Sequence, residues 1–455
     1  MKFKISYIII IWLIISIVSC KKYLEAPSDK RLVIIKTVSD LQGLLDATNQ
    51  INFNDPGVGE VSADNCYINS DIWDALDEYD RAQYTWANYD VIPPFSVYEM
   101  NVWSNCYNVI YRANTVLFNL ENIMRTPENS LDYDNLKGQA FFLRGKFFLE
   151  SAWLWCLAYD EQSSDTDLGL PLRLSPDFNE VSIRSTLEQT YQQIISDLKM
   201  SIDLLPAKSM HPVRPSKAGA YGYLSRCYLS MRNYEYAEAY ADSCLQINSD
   251  LLDYNIDIPD IGDYFPIPEF NKEIIYYSSM FTPRAIYYGG IDTILYRSFG
   301  DEDWRKQIFF LDNGDDYISF RGNYTQNGAP FTGLATDELY LTRAECRVRN
   351  GNVVNGVDDL NILLKNRFAS TSFVPLSITD SQIALDTILA ERRKELIYRE
   401  LRWMDVKRLN KEGRNITLKK SVNGVGYNLP PNDLRFAVAI PEDIIARSGM
   451  QQNPR

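Results

Sequence analysis

Aromatic side chains set among Asp and Asn residues are the part of this sequence best suited to molecular recognition. Tyrosine and tryptophan join a flat apolar ring to a polar tip, so a sugar ring can stack on the face while neighbouring polar groups bond its hydroxyls. Two segments have this composition, residues 73–89 and residues 287–304. The predicted ligand contacts are Trp73, Tyr79, Tyr84, Trp86, Tyr89, Tyr287, Tyr288, Tyr296 and Trp304. Ordinary packing is the alternative for each single ring, and it is the commoner role.

A strip of charges between Glu391 and Arg408 is the other candidate for chemistry. We predict that the strip forms one helix, in which Glu391 and Glu395 lie one turn apart and Glu395 can pair with Arg399 four residues later. Glycoside hydrolysis needs two carboxyl groups about 5 to 9 Å apart across a cleft, and the sequence cannot establish such a separation. We therefore interpret the strip as structural, with charges that satisfy one another locally.

Motifs of the common enzyme classes do not occur. The sequence contains no G-x-S-x-G, phosphate-binding loop or G-x-G-x-x-G. Its single histidine, His211, stands beside Pro212, and the cysteines form no CxxC pair or zinc spacing. Residues 312–316 are rich in oxygen ligands but lack EF-hand spacing, so a solvated turn is the favoured interpretation. The expectation is a protein without enzymatic activity, cofactor or bound metal.

The composition is that of an acidic globular protein rich in tyrosine. Hydrophobic residues make up 45% of the 455 residues and charged residues 23%, both ordinary values. The net charge of −14 argues against nucleic-acid binding, which gains affinity from Lys and Arg at the phosphates. The chain has 30 tyrosines and 8 tryptophans. This excess suits sugars and other polar ligands with flat faces.

The first residues predict export and lipid attachment. Lys2 and Lys4 precede an apolar run at residues 8–18, and Ser19 precedes Cys20. That run is shorter than the roughly 20 residues that a membrane-spanning helix needs. It resembles the signal that is cleaved before a lipid-modified cysteine, so residues 1–19 are the expected signal peptide, Cys20 the lipidation site and residues 20–37 a tether. A plain signal peptide is the alternative.

Helical elements must position the candidate residues. From residue 38 onward apolar residues recur at helical spacing, as at Leu198, Ile202 and Leu205, and Pro206 then ends the helix. The pattern fades where Pro, Gly, Asp and Tyr are frequent, and long irregular segments on a rigid scaffold commonly carry binding sites. The expected fold is all-α, with helical hairpins near residues 100–160, 190–248 and 337–410 and a loop-rich region at residues 250–330.

The stretch from Tyr221 matches a tetratricopeptide repeat, a unit of roughly 34 residues built from two antiparallel helices. Asn233 occupies the turn, and Ala237 and Ala241 occupy positions where the second helix crosses the first and only small residues fit. Weaker copies contain Tyr340, Ala344, Gly351, Gly356, Leu360 and Leu363, and Gly145 with Phe148. A generic helical hairpin is the alternative for each copy.

Short motifs along most of the chain resemble those of the SusD/RagB family and occur in the same order. The early motifs are Cys20, Tyr23, Leu24 and Pro27, then Tyr111, Arg112, Ala113 and Asn114, then Phe142, Leu143, Arg144 and Gly145. The most specific motif is Glu391, Arg392, Glu395, Leu396, Arg402, Trp403, Asp405 and Arg408. The C-terminal motif is Ile440, Pro441, Gln452, Asn453 and Pro454.

The resemblance implies a helical nutrient-binding lipoprotein of the cell outer membrane, exposed at the surface. Its implied partners are a glycan ligand and a SusC-like TonB-dependent transporter, to which the glycan is delivered. It also implies one SusD-like helical domain over residues 38–455, with a ligand face built from loops. A tetratricopeptide scaffold that binds only protein or peptide is the alternative function, and an apolar groove along the repeat helices would favour it.

Overall fold

The computed structural model of the protein describes residues 36–87, 102–314 and 317–455. These ranges contain eighteen α-helices, which confirms the predicted helical class. The helices are α1 (Val38–Leu45), α2 (Thr48–Ile51), α3 (Val58–Ser62), α4 (Ser70–Ala75), α5 (Glu78–Thr85), α6 (Val102–Leu120), α7 (Ser130–Trp155), α8 (Leu187–Leu204), α9 (Lys217–Ser230), α10 (Tyr234–Leu245), α11 (Arg284–Tyr288), α12 (Thr293–Arg297), α13 (Trp304–Phe309), α14 (Thr336–Arg349), α15 (Val353–Lys365), α16 (Ser381–Glu395), α17 (Arg402–Lys411) and α18 (Glu442–Ser448).

Short strands form five two-stranded antiparallel pairs within the described ranges. The pairs are β1 (Cys66–Tyr67) with β5 (Gly290–Ile291), β2 (Leu168–Pro171) with β3 (Arg184–Thr186), β4 (Ile274–Tyr276) with β8 (Leu334–Ala335), β6 (Phe310–Asp312) with β7 (Ile318–Phe320), and β9 (Leu418–Val422) with β10 (Val425–Leu429). The first pair joins segments more than two hundred residues apart, since Cys66 faces Ile291. It attaches the loop-rich region to the first part of the chain.

The α9–α10 pair lies where the sequence predicts a repeat hairpin. Ser216 caps α9 by accepting from the Gly219 amide, and Asn233 caps α10 by accepting from the Tyr236 amide. Ala237 is fully buried where the helices cross, and the Ser225 hydroxyl donates to its carbonyl oxygen at 2.8 Å. A larger side chain has no room at this crossing.

The α14–α15 pair has the same small-residue crossing. A Cβ atom added at Gly356 would lie 2.7 Å from the carbonyl oxygen of Ala344, closer than van der Waals contact allows. Helices α6 and α7 occupy the predicted hairpin near residues 100–160. Small residues where two helices cross therefore allow the helices of these pairs to pack closely.

Two hydrophobic cores hold these elements together. The larger core lies among the long helices and contains four tryptophans, Trp103, Trp153, Trp155 and Trp403. The smaller core lies under the loop-rich region and is built on residues such as Tyr277, Phe309 and Phe331. The segment 396–401 contributes to both, because Leu396 and Leu401 enter the larger core while Ile397 and Tyr398 enter the smaller one.

The prediction that Glu391–Arg408 forms one helix is wrong. Helix α16 ends at Glu395, and α17 begins at Arg402. Tyr398 and Glu400, in the linker between the two helices, have φ values of 58° and 59°, which a continuing right-handed helix cannot contain.

The charges of this strip are paired mainly with partners from distant segments. Glu395 accepts from Arg305 at 3.0 Å and from Arg367 at 2.6 Å, so the predicted pair of Glu395 with Arg399 is also wrong. Arg399 contacts Asp337 at 3.2 Å instead. All five groups are buried, so the interpretation of the strip as structural agrees with these contacts.

The six cysteines of the described residues are buried, and none of them forms a disulfide with another. They are Cys66, Cys106, Cys156, Cys227, Cys244 and Cys346. Among the helices that the structure describes, none combines the length and the apolar character needed to cross a membrane.

Candidate functional site

Aromatic and polar side chains surround a cleft of about 380 Å³ in the loop-rich region, here called the tyrosine cleft. Helix α11, the β6–β7 pair and the linker 396–401 form its walls. The side chains that line it include Tyr264, Tyr287, Asn313, Tyr317, Ser319, Phe320, Asn323 and Tyr398. Rings and hydrogen-bonding groups thus face one concave surface, as sugar recognition requires.

Helix α11 is held at the cleft by the two glycines that follow it. A Cβ atom added at Gly289 would lie 2.2 Å from the Ala285 carbonyl oxygen, so the chain can turn directly out of α11 only with glycine there. Gly290 then pairs with Tyr67 in the β5–β1 ladder. The α11 tyrosines are therefore fixed by a strand pairing and not by a free loop.

Three tyrosine rings remain accessible at the cleft. Tyr287 is 63% exposed and Tyr264 is 63% exposed, and both line the cavity. Tyr288 is 53% exposed and stands perpendicular to Tyr287, with 4.8 Å between ring centroids. The Tyr317 hydroxyl donates to the Tyr288 carbonyl oxygen at 2.9 Å, which ties α11 to the β6–β7 pair. This bond fixes the backbone that carries the α11 rings, which limits the entropy lost when a ligand stacks on them.

Two buried polar atoms of the cleft residues have no hydrogen-bond partner among the described residues. They are the side-chain oxygen of Asn323 and the hydroxyl of Tyr398. Burial raises the pKa of Tyr398 well above its usual range, so the phenol keeps its proton and can donate. Unpaired buried polar groups are costly, and at a cleft they indicate a place where a bound molecule or water completes the bonding.

A second cavity of about 310 Å³, here called the adjoining pocket, meets the tyrosine cleft at Thr282, which lines both. Its lining includes Tyr79, Gln83, Asn105 and Arg284. The Gln83 side-chain nitrogen is buried and has no partner in the described part of the chain. The two cavities together offer a longer binding surface than either alone.

Of the nine predicted contacts, three lie at the cavities, three are half-buried elsewhere, two are in the core and one lies outside the described residues. Tyr287 lines the tyrosine cleft with Tyr288 beside it, and Tyr79 lines the adjoining pocket. Half-buried rings away from both cavities form a second group, Trp73, Tyr296 and Trp304. The Trp304 indole donates to Asn255 at 2.9 Å. Tyr89 lies outside the described residues.

Tyr84 and Trp86 are core residues, which corrects their prediction as ligand platforms. Tyr84 is 1% exposed, and its hydroxyl accepts from the Ile68 amide at 3.2 Å. Trp86 is 4% exposed, and its indole donates to the Ser62 carbonyl oxygen at 3.0 Å. The Lys420 ammonium lies 3.7 Å from the centre of the Tyr84 ring. Neither ring has a face on which a ligand can stack.

Sequence reasoning missed several residues of the cleft. Tyr264 and Tyr317 lie in the predicted loop-rich region, and its general excess of tyrosine was the available signal. Tyr398 belongs to the strip interpreted as one helix, and only the break at residues 396–401 brings it to the cleft. Asn323 has no sequence signal, because its role depends on burial without a partner.

A third cavity, here called the α6 groove, has a volume of about 720 Å³ and a different character. Trp103, Tyr107 and Tyr111, one turn apart along α6, form one wall, and Phe178 stacks on Tyr111 with 4.8 Å between centroids. Phe178 is 77% exposed and Val181 is 71% exposed. Large exposed apolar side chains at a groove are typical of a surface that contacts protein.

The fold and the cavities define a binding protein built on helical hairpins, with a tyrosine-lined cleft on a loop-rich side. Two family models match the chain, one described as starch-binding and associating with the outer membrane over residues 22–229, and one of the SusD family over residues 321–438. The two matches together span well over half of the sequence. The chain belongs to the SusD/RagB family, as its sequence motifs indicate.

Solved structures show the same fold. A SusD superfamily protein from Bacteroides thetaiotaomicron is 19% identical, with a TM-score of 0.71 over 92% of this chain and 100% of that chain. A SusD-like carbohydrate-binding protein from Bacteroides vulgatus is 18% identical, with a TM-score of 0.69 over 91% of this chain and 97% of that chain. No curated protein sequence matches the chain.

Proposed function

We propose that the protein binds oligosaccharides in the tyrosine cleft and passes them to a SusC-like TonB-dependent transporter in the outer membrane. The observation that carries this proposal is the pair of exposed tyrosines beside two buried polar atoms without partners. The rings suit the apolar faces of sugars, and the unpaired Asn323 and Tyr398 groups suit their hydroxyls. Family membership, with its starch-binding description, supports the same ligand class.

Binding without catalysis is part of the proposal. The carboxylates nearest in sequence to the linker, Glu391, Glu395 and Glu400, are buried and hydrogen-bonded to arginines or to backbone amides. A general acid or nucleophile must instead reach the substrate. The cleft lining as described consists of neutral groups, which suit retention of an intact neutral glycan.

The test is binding to a panel of neutral oligosaccharides by isothermal titration calorimetry, with the detergent-solubilised full chain. Tyr287→Ala should weaken binding of the recognised glycan by roughly 1 to 3 kcal/mol, the usual contribution of one stacking ring. Tyr236→Ala is the matched control, because Tyr236 is 51% exposed on α10 and lines neither the tyrosine cleft nor the adjoining pocket. Equal binding by the parent and the Tyr287 variant would refute the cleft as the glycan site.

The α6 groove supports a second interaction, contact with a protein. We assign this contact to the transporter, because delivery requires the two proteins to touch and the groove exposes Phe178 and Val181. In a membrane extract, Phe178→Asp should reduce co-purification of the transporter while glycan binding stays at the parent level. If no glycan of the panel binds while a protein still binds in the α6 groove, the protein is instead a scaffold that binds only protein or peptide.

A further inference from the structure

A cavity of about 440 Å³ between α16 and α17, here called the arginine pocket, lies outside both glycan cavities. Helix α12 and residues after α17 complete its walls. Five of its lining side chains carry a positive charge: Arg392, Arg393, Lys394, Arg402 and Arg414. Two carry a negative charge: Asp386 and Asp405. This local excess of cations is unusual in a chain whose net charge is −14.

The hydrogen bonds within the protein do not use all the arginine donors at this pocket. Arg392 is 1% exposed and donates to Asp405 and Thr342, yet its Nη2 atom has no partner among the described residues. A buried guanidinium nitrogen with no acceptor is costly. An oxygen atom of a bound group at the pocket would satisfy it.

Arg402 and Arg393 are oriented by the neighbouring residues Asp64 and Asn65. Arg402 donates Nε and Nη2 to the Asp64 carboxylate at 2.7 and 2.9 Å. Arg393 donates Nε to the Asn65 side-chain oxygen at 3.2 Å and Nη2 to the Asp64 backbone carbonyl oxygen at 2.9 Å. In both arginines Nη1 has no hydrogen bond to the residues that the structure describes. Asp64 and Asn65 therefore fix two guanidinium planes while one edge of each remains available.

The carboxylates of the pocket are themselves engaged. Asp405 accepts from Arg392 at 2.9 Å and from Arg408 at 2.8 Å, and Asp386 contacts Arg414. Lys394 pairs with Glu391 at 2.8 Å. Leu389 and Leu409 add an apolar part to the lining. The pocket therefore places arginine N–H donors in fixed orientations beside an apolar surface.

We propose that the arginine pocket binds an oxyanion, either the carboxylate of an acidic sugar or an inorganic phosphate. Guanidinium groups suit both, because their planar N–H pairs match the spacing of carboxylate and phosphate oxygens. The apolar lining gives the ring of a sugar acid a surface to contact. This site is independent of the tyrosine cleft, and its ligand differs from a neutral glycan in charge.

The test is calorimetric titration of the full chain in detergent, at constant ionic strength, with three probes. The probes are sodium galacturonate, its neutral counterpart galactose, and inorganic phosphate. The expected result is saturable binding of galacturonate or of phosphate and none of galactose, and the probe that binds identifies the source of the oxyanion. Absence of binding by both anions would overturn the proposal.

A variant that leaves every arginine in place makes the test specific. Ala390 is exposed and lines the pocket, so Ala390→Glu adds a negative charge at the site without breaking an ion pair. It should weaken anion binding by about tenfold or more. Ala239→Glu is the matched control, because Ala239 is an exposed helical alanine on α10 and should leave binding unchanged.

Two further results separate this site from the proposed glycan function. Tyr287→Ala should leave anion binding at the parent value, and Ala390→Glu should leave neutral-glycan binding at the parent value. Anion binding that survives Ala390→Glu but disappears in Tyr287→Ala would overturn the assignment to the arginine pocket. Failure of glycan binding with intact anion binding would contradict only the proposed function.

Discussion

The Tyr398 hydroxyl is buried, and none of the described residues exchanges a hydrogen bond with it. Its ring packs edge-on against Phe320 with 5.2 Å between centroids, so the phenyl part already contributes to the smaller core. The hydroxyl adds only a desolvation cost to the folded chain unless a ligand or water bonds it. Removal of the Tyr398 hydroxyl should therefore affect ligand binding without lowering the stability of the fold.

Tyr398→Phe should leave the free energy of unfolding unchanged or raise it slightly, because it removes an unsatisfied polar atom. It should also weaken glycan binding, since one hydrogen-bonding group is lost from the cleft. Chemical denaturation and calorimetry measure the two effects. Tyr277→Phe is the control: the Tyr277 hydroxyl donates to Glu269 at 2.7 Å, so its loss should cost about 1 kcal/mol of stability and leave binding intact. Destabilisation by Tyr398→Phe would contradict the assignment of its hydroxyl to the ligand.

Two buried carboxyl groups, Glu60 and Glu400, contact each other's backbone. The Glu400 carboxyl accepts from the amides of Gly59 and Glu60 at 2.8 and 3.0 Å, and the Glu400 amide donates to the Glu60 carboxyl at 3.2 Å. Burial raises the pKa of Glu60 to about 7. Burial, with Glu60 beside it, also raises the pKa of Glu400 well above its usual range. Between pH 4.5 and about 7, these carboxyl groups therefore keep their protons in the folded protein, whereas the same groups have lost them in the unfolded chain.

Stability should therefore fall as the pH rises from 4.5, the ordinary value for a glutamate, through 7. Each proton involved contributes a slope of up to about 1.4 kcal/mol per pH unit. Glu60→Gln should flatten the slope in urea denaturation series, because the amide does not titrate. Glu78→Gln, at an exposed position of α5, should keep the parent slope. A parent protein whose stability rises across this interval would contradict the raised pKa values.

Among the elements, the α9–α10 hairpin depends most directly on one side chain. Ala237→Leu should overpack the helix crossing and cost about 1 to 3 kcal/mol of unfolding free energy, because Ala237 is fully buried there. Thermal denaturation measures this cost. Ala239→Leu, on the exposed face of the same helix, should change stability by less than about 0.5 kcal/mol. Equal melting temperatures for the two variants would mean that the crossing tolerates larger residues.

Local spacing predicts this hairpin because its contacts lie within a single repeat. Small residues at Ala237 and Ala241 are visible in the sequence, and so is the turn residue Asn233. The break after α16 is not visible, because Tyr398 and Glu400 adopt positive φ for reasons of tertiary packing. The partners of Glu395 are equally hidden, since Arg305 and Arg367 come from elements far away in sequence.

The cleft is less predictable than the scaffold for the same physical reason. The aromatic composition draws attention to Tyr287 and Tyr288, which lie at the cleft, yet the same composition describes Tyr84 and Trp86, which fill the core. A ring becomes a candidate platform only when the fold leaves a face uncovered. That property depends on all its neighbours, and a single sequence does not contain them.

For the whole molecule, attachment to the membrane depends on the first residues. We expect mature protein extracted from membranes to begin at Cys20 and to carry several acyl chains, because one chain alone gives only marginal binding. Mass spectrometry of the N-terminal peptide measures both features. Cys20→Ser should release the protein from the membrane fraction, whereas Ser28→Ala, in the same tether, should not. An N-terminal peptide with unmodified Cys20 would contradict the prediction.

The linker 396–401 has a consequence for how the molecule opens. Because Leu396 and Leu401 enter the larger core while Ile397 and Tyr398 enter the smaller one, unfolding of this short segment would disturb both cores. The cores should then behave as one cooperative unit in native-state hydrogen exchange, with the slowest amides of α7, in the larger core, and of α13, in the smaller core, sharing one opening free energy. A sugar that holds Tyr398 would then slow hydrogen exchange in helices distant from the cleft, because the segments that the two cores share transmit the added stability.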